Sequence, residues 1–142
     1  MVSYMGNDTG NFLRTGRIRF LYPDKENNLW IAGADKGLTK LDLLTNKLTN
    51  YLYDSTSKNC IAANFVSDIK EFEEGNLYIA TSHGVSILNK KTNQFSTLKH
   101  SDKDQNSLLV DQTNTIAKDI NGHIWFGHSG FGITEYIPSQ NK

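Results

Sequence analysis

The chain repeats itself, and the repeat constrains its fold more than any local pattern does. Three segments align: residues 28–42 (NLWIAGADKGLTKLD), 76–89 (NLYIATSHGVSILN) and 123–137 (HIWFGHSGFGITEYI). Leu29 and Leu77 are 48 residues apart, and Leu77 and Ile124 are 47 apart. Gly37 to Gly84 is 47 residues, and Gly84 to Gly132 is 48. The agreement extends outward: Leu21, Ile69 and Ile116 stand eight residues before the anchors, and Asp24, Phe72 and Asp119 five before. Thr45-Asn46-Lys47-Leu48 returns 47 residues later as Thr92-Asn93-Gln94-Phe95. A period of this length means that each copy is one structural unit, completed by stacking on its neighbours.

Inside each copy the elements are short and β-like. The central run (LWIAG, LYIAT or IWFGH) lacks polar alternates, as expected of a strand covered on both faces. A weaker strand precedes it at residues 17–22, 65–71 and 113–118, joined to it by turn-forming residues. After a glycine-bearing turn come Leu38-Thr39-Lys40-Leu41, Val85-Ser86-Ile87-Leu88 and Ile133-Thr134-Glu135-Tyr136, each alternating apolar and polar. A Thr-Asn turn then leads to a fourth strand at 48–53 and 95–99. No stretch of ten residues has helical periodicity. Four strands per unit of about 47 residues is the content of a β-propeller blade. A two-sheet sandwich would expose one face of every strand and impose strict alternation on all of them.

The expected fold is therefore all-β: a partial propeller of three four-stranded antiparallel blades spanning residues 1–142. Blade one covers about 17–53, blade two about 65–99 and blade three about 113–137, the last without its outer strand. Stepping back one period places the outer strand of a preceding blade near residues 2–5. Three blades are too few to close a ring. Two ways of covering the open faces follow: a head-to-tail homodimer closing a six-bladed ring, or further blades of a longer receptor.

Composition narrows the function classes. Fifteen basic residues balance fifteen acidic ones, which argues against a nucleic-acid binder or a polybasic membrane-surface protein. An aromatic share of 11% is too rich for a disordered chain. One cysteine, Cys60, excludes an intrachain disulfide framework and a cysteine-based zinc site. No apolar run has the length of a membrane span, and the first dozen residues do not read as a signal peptide.

The pattern of an apolar strand, Asp, turn, Leu-Trp-Ile-Gly/Ala, a Gly-Leu step and Thr-Asn before an aromatic strand resembles the two-component regulator propeller repeat. Copy one carries it in Asp24, Asn28-Leu29-Trp30-Ile31-Ala32-Gly33, Gly37-Leu38 and Tyr51, and copy three in Asp119, Trp125, Gly127, Gly132 and Ile133. Copy two departs most, with Phe72 for the Asp and Tyr78 for the Trp. The resemblance implies the periplasmic sensor region of bacterial hybrid two-component histidine kinases, many of which respond to oligosaccharides. It implies a non-enzymatic ligand-binding module that needs no cofactor. The other reading is a structural or protein-interaction scaffold mediating receptor self-association.

Trp30, Tyr78 and Trp125, with Leu29, Leu77 and Ile124, read as core between blades rather than as sugar-stacking residues. There is no nucleophile elbow, phosphate-binding loop or convergent acid/base pair, and the spacing of the four histidines supports no metal site. In a propeller, ligands meet loops at one end of the ring. The turns between second and third strands supply Asp35, Lys36, Ser82, His83, His128, Ser129 and Phe131 as candidate ligand-binding residues. The long crossings add Asp54, Lys58, Asn59, Asn64, Asp102, Asp104 and Asn106 as weaker candidates.

Overall fold

The computed structural model describes residues 17–73 and 75–140, and the strand expected near residues 2–5 lies outside them. Each copy folds as one antiparallel sheet whose strands lie side by side in chain order. The first sheet holds β1 (Ile18–Pro23), β2 (Asn28–Gly33), β3 (Leu38–Asp42) and β4 (Leu48–Tyr51). The second holds β5 (Val66–Glu73), β6 (Asn76–Thr81), β7 (Gly84–Asn89) and β8 (Gln94–Leu98). The third holds β9 (Thr115–Lys118), β10 (Ile124–His128) and β11 (Gly132–Tyr136), with no fourth strand among the described residues. A single 3-10 turn, Pro138–Gln140, follows.

The registers coincide between copies. Leu29 pairs with Leu41, Leu77 with Leu88 and Ile124 with Tyr136. Two glycines keep this geometry. Gly37 (φ 70°) immediately precedes β3 and Gly84 (φ 110°) opens β7, where an added Cβ would stand 2.3 Å from Tyr51 O and 2.4 Å from Leu98 O. The Thr-Asn turns are equally alike, Asn46 and Asn93 having φ of 57° and 56°. Strand ends move by about two residues from their expected places for a local reason. The Thr113 N–H donates across to Thr81 O of the second sheet, so the third sheet's first strand begins later. Tyr53 N–H donates to the Asn64 side chain, which ends β4 at Tyr51.

The sheets lie face to face in sequence. β5 contacts β1 and β2, and β9 contacts β5 and β6, so successive sheets approach one another through their first strands. The second strand of the middle sheet shows the consequence. Leu77 and Ile79 join Trp30, Ala32, Leu38, Val66, Ile69 and Leu88 between sheets one and two, while Tyr78 and Ala80 join Val85, Ile116, Ile124 and Phe126 between sheets two and three. Both faces of β6 are thus covered, which is why it carries no polar alternate. The long crossings each plug one interface, with Ile61 in the first and Leu108 in the second.

Polar ties sit among these contacts. Buried Asp68 of β5 accepts the Ile116 N–H of β9 at 2.8 Å and its own neighbour Ile69 N–H at 2.8 Å. Ser67 Oγ donates to Thr113 O at 2.7 Å. Lys70 of β5 places its ammonium 4.4 Å from the centre of the Phe20 ring on β1, a cation–π contact across the first interface.

The expectation that all three aromatic positions and their leucine-type neighbours are core holds only where a second sheet faces them. Trp30, Tyr78, Leu77 and Ile124 are buried, whereas Leu29 and Trp125 are half-buried. Leu29 looks out from the front of the first sheet and Trp125 from the back of the third. Position within the stack, rather than residue type, sets the difference.

Candidate functional site

The turns between second and third strands lie at one end of the stack, where the first two meet the segments entering the next sheets. Gly37 N–H donates to Asn64 O at 2.8 Å and Gly84 N–H to Asp111 O at 2.8 Å. Of the candidate ligand residues, Asp35, Lys36, His83, Ser129 and Phe131 are exposed here and Ser82 is half-buried. Ser82 Oγ lies 3.0 Å from His83 Nδ1, and the His83 backbone N–H donates to Thr81 Oγ1, which holds this two-residue turn in shape. Phe131 is 62% exposed, a large apolar ring presented to solvent. His128 differs from the rest because it is buried. Its Nδ1–H donates to Gln112 O at 2.9 Å, and its Nε2 lies 2.9 Å from Thr134 Oγ1. Both ring nitrogens therefore already have protein partners, and His128 anchors the turn that carries Ser129 and Phe131.

Among the crossing residues, Asn59 and Asn64 are also committed to the fold. Asn59 Oδ1 accepts Phe95 N–H at 2.7 Å, and Asn64 Oδ1 accepts Tyr53 N–H at 2.8 Å. Asp54 caps its own loop through Thr56, and Asp104 does so through Asn106 N–H. A cleft of about 280 Å³ opens beside the crossing at 100–108, lined by Lys99, His100, Asp104, Asn106, Thr134 and Glu135. It runs along β11, the outer strand of the third sheet among the described residues. Hydrogen bonding of His100 to Leu108 O, and then to Asp102, raises its pKa above the ordinary histidine value.

The opposite end holds a construction that the sequence reading did not anticipate. In the β1–β2 turn, Asp24 Oδ1 accepts the Glu26 and Asn28 N–H groups, and Oδ2 accepts the Trp30 indole N–H at 2.8 Å. Lys90, directly after β7 of the next sheet, sets its ammonium 3.2 Å from Asp24 Oδ2 and 2.8 Å from Glu71, with Glu26 also bonded. The Asp24 side chain is 0% exposed and that of Lys90 10%. Burial by itself would raise the pKa of Asp24, but the donors from Trp30, Asn28 and Lys90 outweigh it and pull it down to about 2. Burial likewise opposes charge on Lys90, and the bonds to Glu26, Glu71 and Asp24 hold its pKa above the ordinary lysine value.

The repeat varies this construction in a correlated way. In copy two, Phe72 and Tyr78 replace Asp24 and Trp30, and their rings contact at 5.9 Å between centroids. Glu71 takes over the turn by accepting Gly75 N–H at 3.0 Å. The place of Lys90 in the third sheet, two residues beyond the partner of Ile124, is held by Pro138. The two grooves match residue for residue: Asn28, Trp30, Lys40, Leu88 and Lys90 line one of about 380 Å³, and Asn76, Tyr78, Ile87, Tyr136 and Pro138 line the other of about 360 Å³.

Copy three returns to the first pattern. Asp119 accepts Asn121 and His123 N–H groups and the Trp125 indole N–H, the last at 3.0 Å. The indole bond, followed by those turn amides, lowers the Asp119 pKa. His123 Nδ1 lies 2.7 Å from Glu135. Asp119, His123 and Glu135 bring three possible metal-ligand atoms within 4.8 Å of one another. Within this cluster Asp119 is bonded to Trp125 and Glu135 to His123.

The class the fold defines is a stack of repeated antiparallel β-sheets joined through their first strands. No protein-family model matches the chain, and no curated protein does. Solved structures match it along almost its full length. The extracellular domain of one putative hybrid two-component system of B. thetaiotaomicron is 27% identical, with a TM-score of 0.77 over 99% of this chain and 20% of that one. A second such domain from the same organism is 20% identical, with a TM-score of 0.70 over 98% of this chain and 20% of that one. The chain thus spans about a fifth of the length of the solved proteins it matches. These neighbours agree with the resemblance read from the repeats: over its length the chain has the fold of part of the extracellular domains of hybrid two-component systems. Among the described residues, no helix is long and apolar enough to cross a membrane.

Proposed function

We propose that the chain is a three-blade segment of a ligand-sensing β-propeller, placed outside the cytoplasm in a two-component receptor and acting by binding rather than by catalysis. The observation that carries this reading is the fan of repeats. Each four-stranded sheet lies on the next through its first strand, and the same arrangement runs along almost the whole match to extracellular domains of hybrid two-component systems. In this reading the blades span about 17–53, 65–99 and 113–137, which the strand ranges support. Further blades complete the ring.

The ligand-facing end is the one bearing the turns between second and third strands. Asp35, Lys36, Ser82, His83 and Ser129 offer hydrogen-bonding groups there, and Phe131 offers a ring face for the apolar side of a sugar. His128 supports the last of these turns from below. An oligosaccharide is the ligand class that such a mixture of exposed polar groups and one aromatic face suits. A thermal-shift and calorimetric screen of neutral and acidic oligosaccharides against the wild-type chain tests it. Binding that is lost in His83→Ala and Phe131→Ala, with unfolding midpoints unchanged, supports the reading. Binding that survives both substitutions counts against this end of the stack.

A further inference from the structure

The back of the third sheet carries the same receptor that the first sheet uses to hold its neighbour, but without an occupant among the described residues. Three positions show it. Trp30 is 2% exposed and Tyr78 3%, while the equivalent Trp125 is half-buried. Leu38 and Val85 are both 0% exposed, while the equivalent Ile133 is 65% exposed. The Asp24 side chain is 0% exposed under Lys90, while that of Asp119 is 28% exposed.

The two completed interfaces supply a rule. Where the turn offers an aspartate bonded to a tryptophan, the next sheet answers with an ammonium, as Lys90 does to Asp24. Where the turn offers Phe72 and Tyr78, Pro138 stands in the place of Lys90, and the next sheet's Lys118 instead sets its ammonium 5.9 Å from the centre of the Phe72 ring. The aspartate and the lysine after the third strand occur together in the first interface and are both replaced in the second, as expected if a shielded carboxylate needs its counter-charge. The third turn offers the acid again, in Asp119 with Trp125, and Glu135 adds a second carboxylate where the first sheet has Lys40.

We propose that the exposed face of the third sheet seats a further sheet of the same repeat, one carrying a lysine or arginine directly after its third strand, with Asp119 and Glu135 as the acceptors of that cation. The inference rests on the propeller reading above and names the chemistry of the next blade. It also argues against a second copy of this chain as the occupant. A second copy would present the front of its first sheet, where the place of Lys90 is held by Leu43, 48% exposed and uncharged.

That mismatch makes the rule testable with the chain itself. Sedimentation equilibrium would compare wild type, Leu43→Lys, Leu43→Gln and the double variant Leu43→Lys/Asp119→Asn, each checked by circular dichroism for an intact fold. Leu43 is surface-exposed, so its substitution leaves the core untouched. The expected result is weak or no association of wild type and Leu43→Gln. Leu43→Lys should associate head to tail at least tenfold more tightly, and Asp119→Asn should return it to the wild-type level. Tight association of the wild type would make the second copy the occupant and overturn the proposal. So would a Leu43→Lys chain that associates no better than wild type, or one indifferent to Asp119→Asn. Small-angle scattering of the wild-type chain reports the fan of sheets separately: a failed latch in an intact fan removes this inference alone, and a profile without the fan removes the propeller reading as well.

Discussion

Replacing Lys90 by methionine keeps the side chain's apolar stem and deletes only its charge. Three carboxylates then lose their shared cation. Glu26 is 52% exposed and water takes over its solvation, so its share is small. Asp24, at 0% exposure, and Glu71, at 12%, have no such recourse. Breaking a buried ion pair from one side costs about 3–5 kcal/mol. The lower end applies here, because Asp24 keeps its bonds from Trp30 and Asn28 and Glu71 keeps Gly75 N–H. A loss of about 3 kcal/mol is a large part of the ~5–15 kcal/mol that holds a typical domain together. With a urea dependence of about 2 kcal/mol/M, the unfolding midpoint should fall by roughly 1.5 M at neutral pH. Because Lys90 belongs to the second sheet and Asp24 to the first, the loss should also couple the two residues. In a cycle with Asp24→Asn, the interaction energy should exceed about 1 kcal/mol. A midpoint shift below about 0.3 M, or additive single effects, would refute the account of Lys90 as the clasp between the sheets.

Acid should weaken the fold through Asp24 in particular. Its folded pKa of about 2 lies below the ordinary 3.8, so its contribution is complete above pH 4 and is lost as the pH falls through 2. That contribution is about 2 kcal/mol. Urea midpoints measured from pH 5 to pH 2 should fall less steeply in Asp24→Asn than in wild type, and equal slopes would contradict the assignment. Asp68→Ala should cost about 2 kcal/mol by leaving the buried Ile116 N–H without an acceptor. Hydrogen exchange at Ile116 reports it, and an unchanged rate would show that the second and third sheets are tied elsewhere. Gly37→Ala and Gly130→Ala separate strain from collision. Both have positive φ, but a Cβ at Gly37 meets Tyr51 O whereas at Gly130 nothing lies within 4 Å. Gly130→Ala should cost about 1 kcal/mol and Gly37→Ala clearly more by thermal unfolding, and equal costs would remove the collision argument.

Much of the fold was legible because repetition turns a weak signal into a strong one. A single run such as LYIAT is ambiguous, but three runs in register with glycines and Thr-Asn turns at fixed offsets leave one architecture. The candidate ligand turns were legible for the same reason, since topology alone puts all of them at one end. His128 could not be told from the exposed turn residues around it. Its burial depends on Gln112 and Thr134, which approach it only when the chain folds back. Lys90 was invisible because it breaks the repeat: Leu43 and Pro138 stand in its place in the other copies, and a lone lysine after a strand reads as surface. The swap of Asp and Trp for Phe72 and Tyr78 was a trace of it, recognisable only once the partner across the interface is known.

The sequence by itself determined the unit, its strand order, its register and the turns that close it. Those depend on alternation, on glycines with positive φ and on offsets a few residues long, all of which are local. The tertiary structure decided which face of each unit is covered. Leu29 and Leu77 are the same residue type at the same register, yet only Leu77 is buried; Trp30 and Trp125 carry the same aspartate bond, yet only Trp30 lies under a lysine. Burial and ion pairing belong to the contact between two units, separated by some 47 residues of chain, and no local pattern encodes whether the second unit is there.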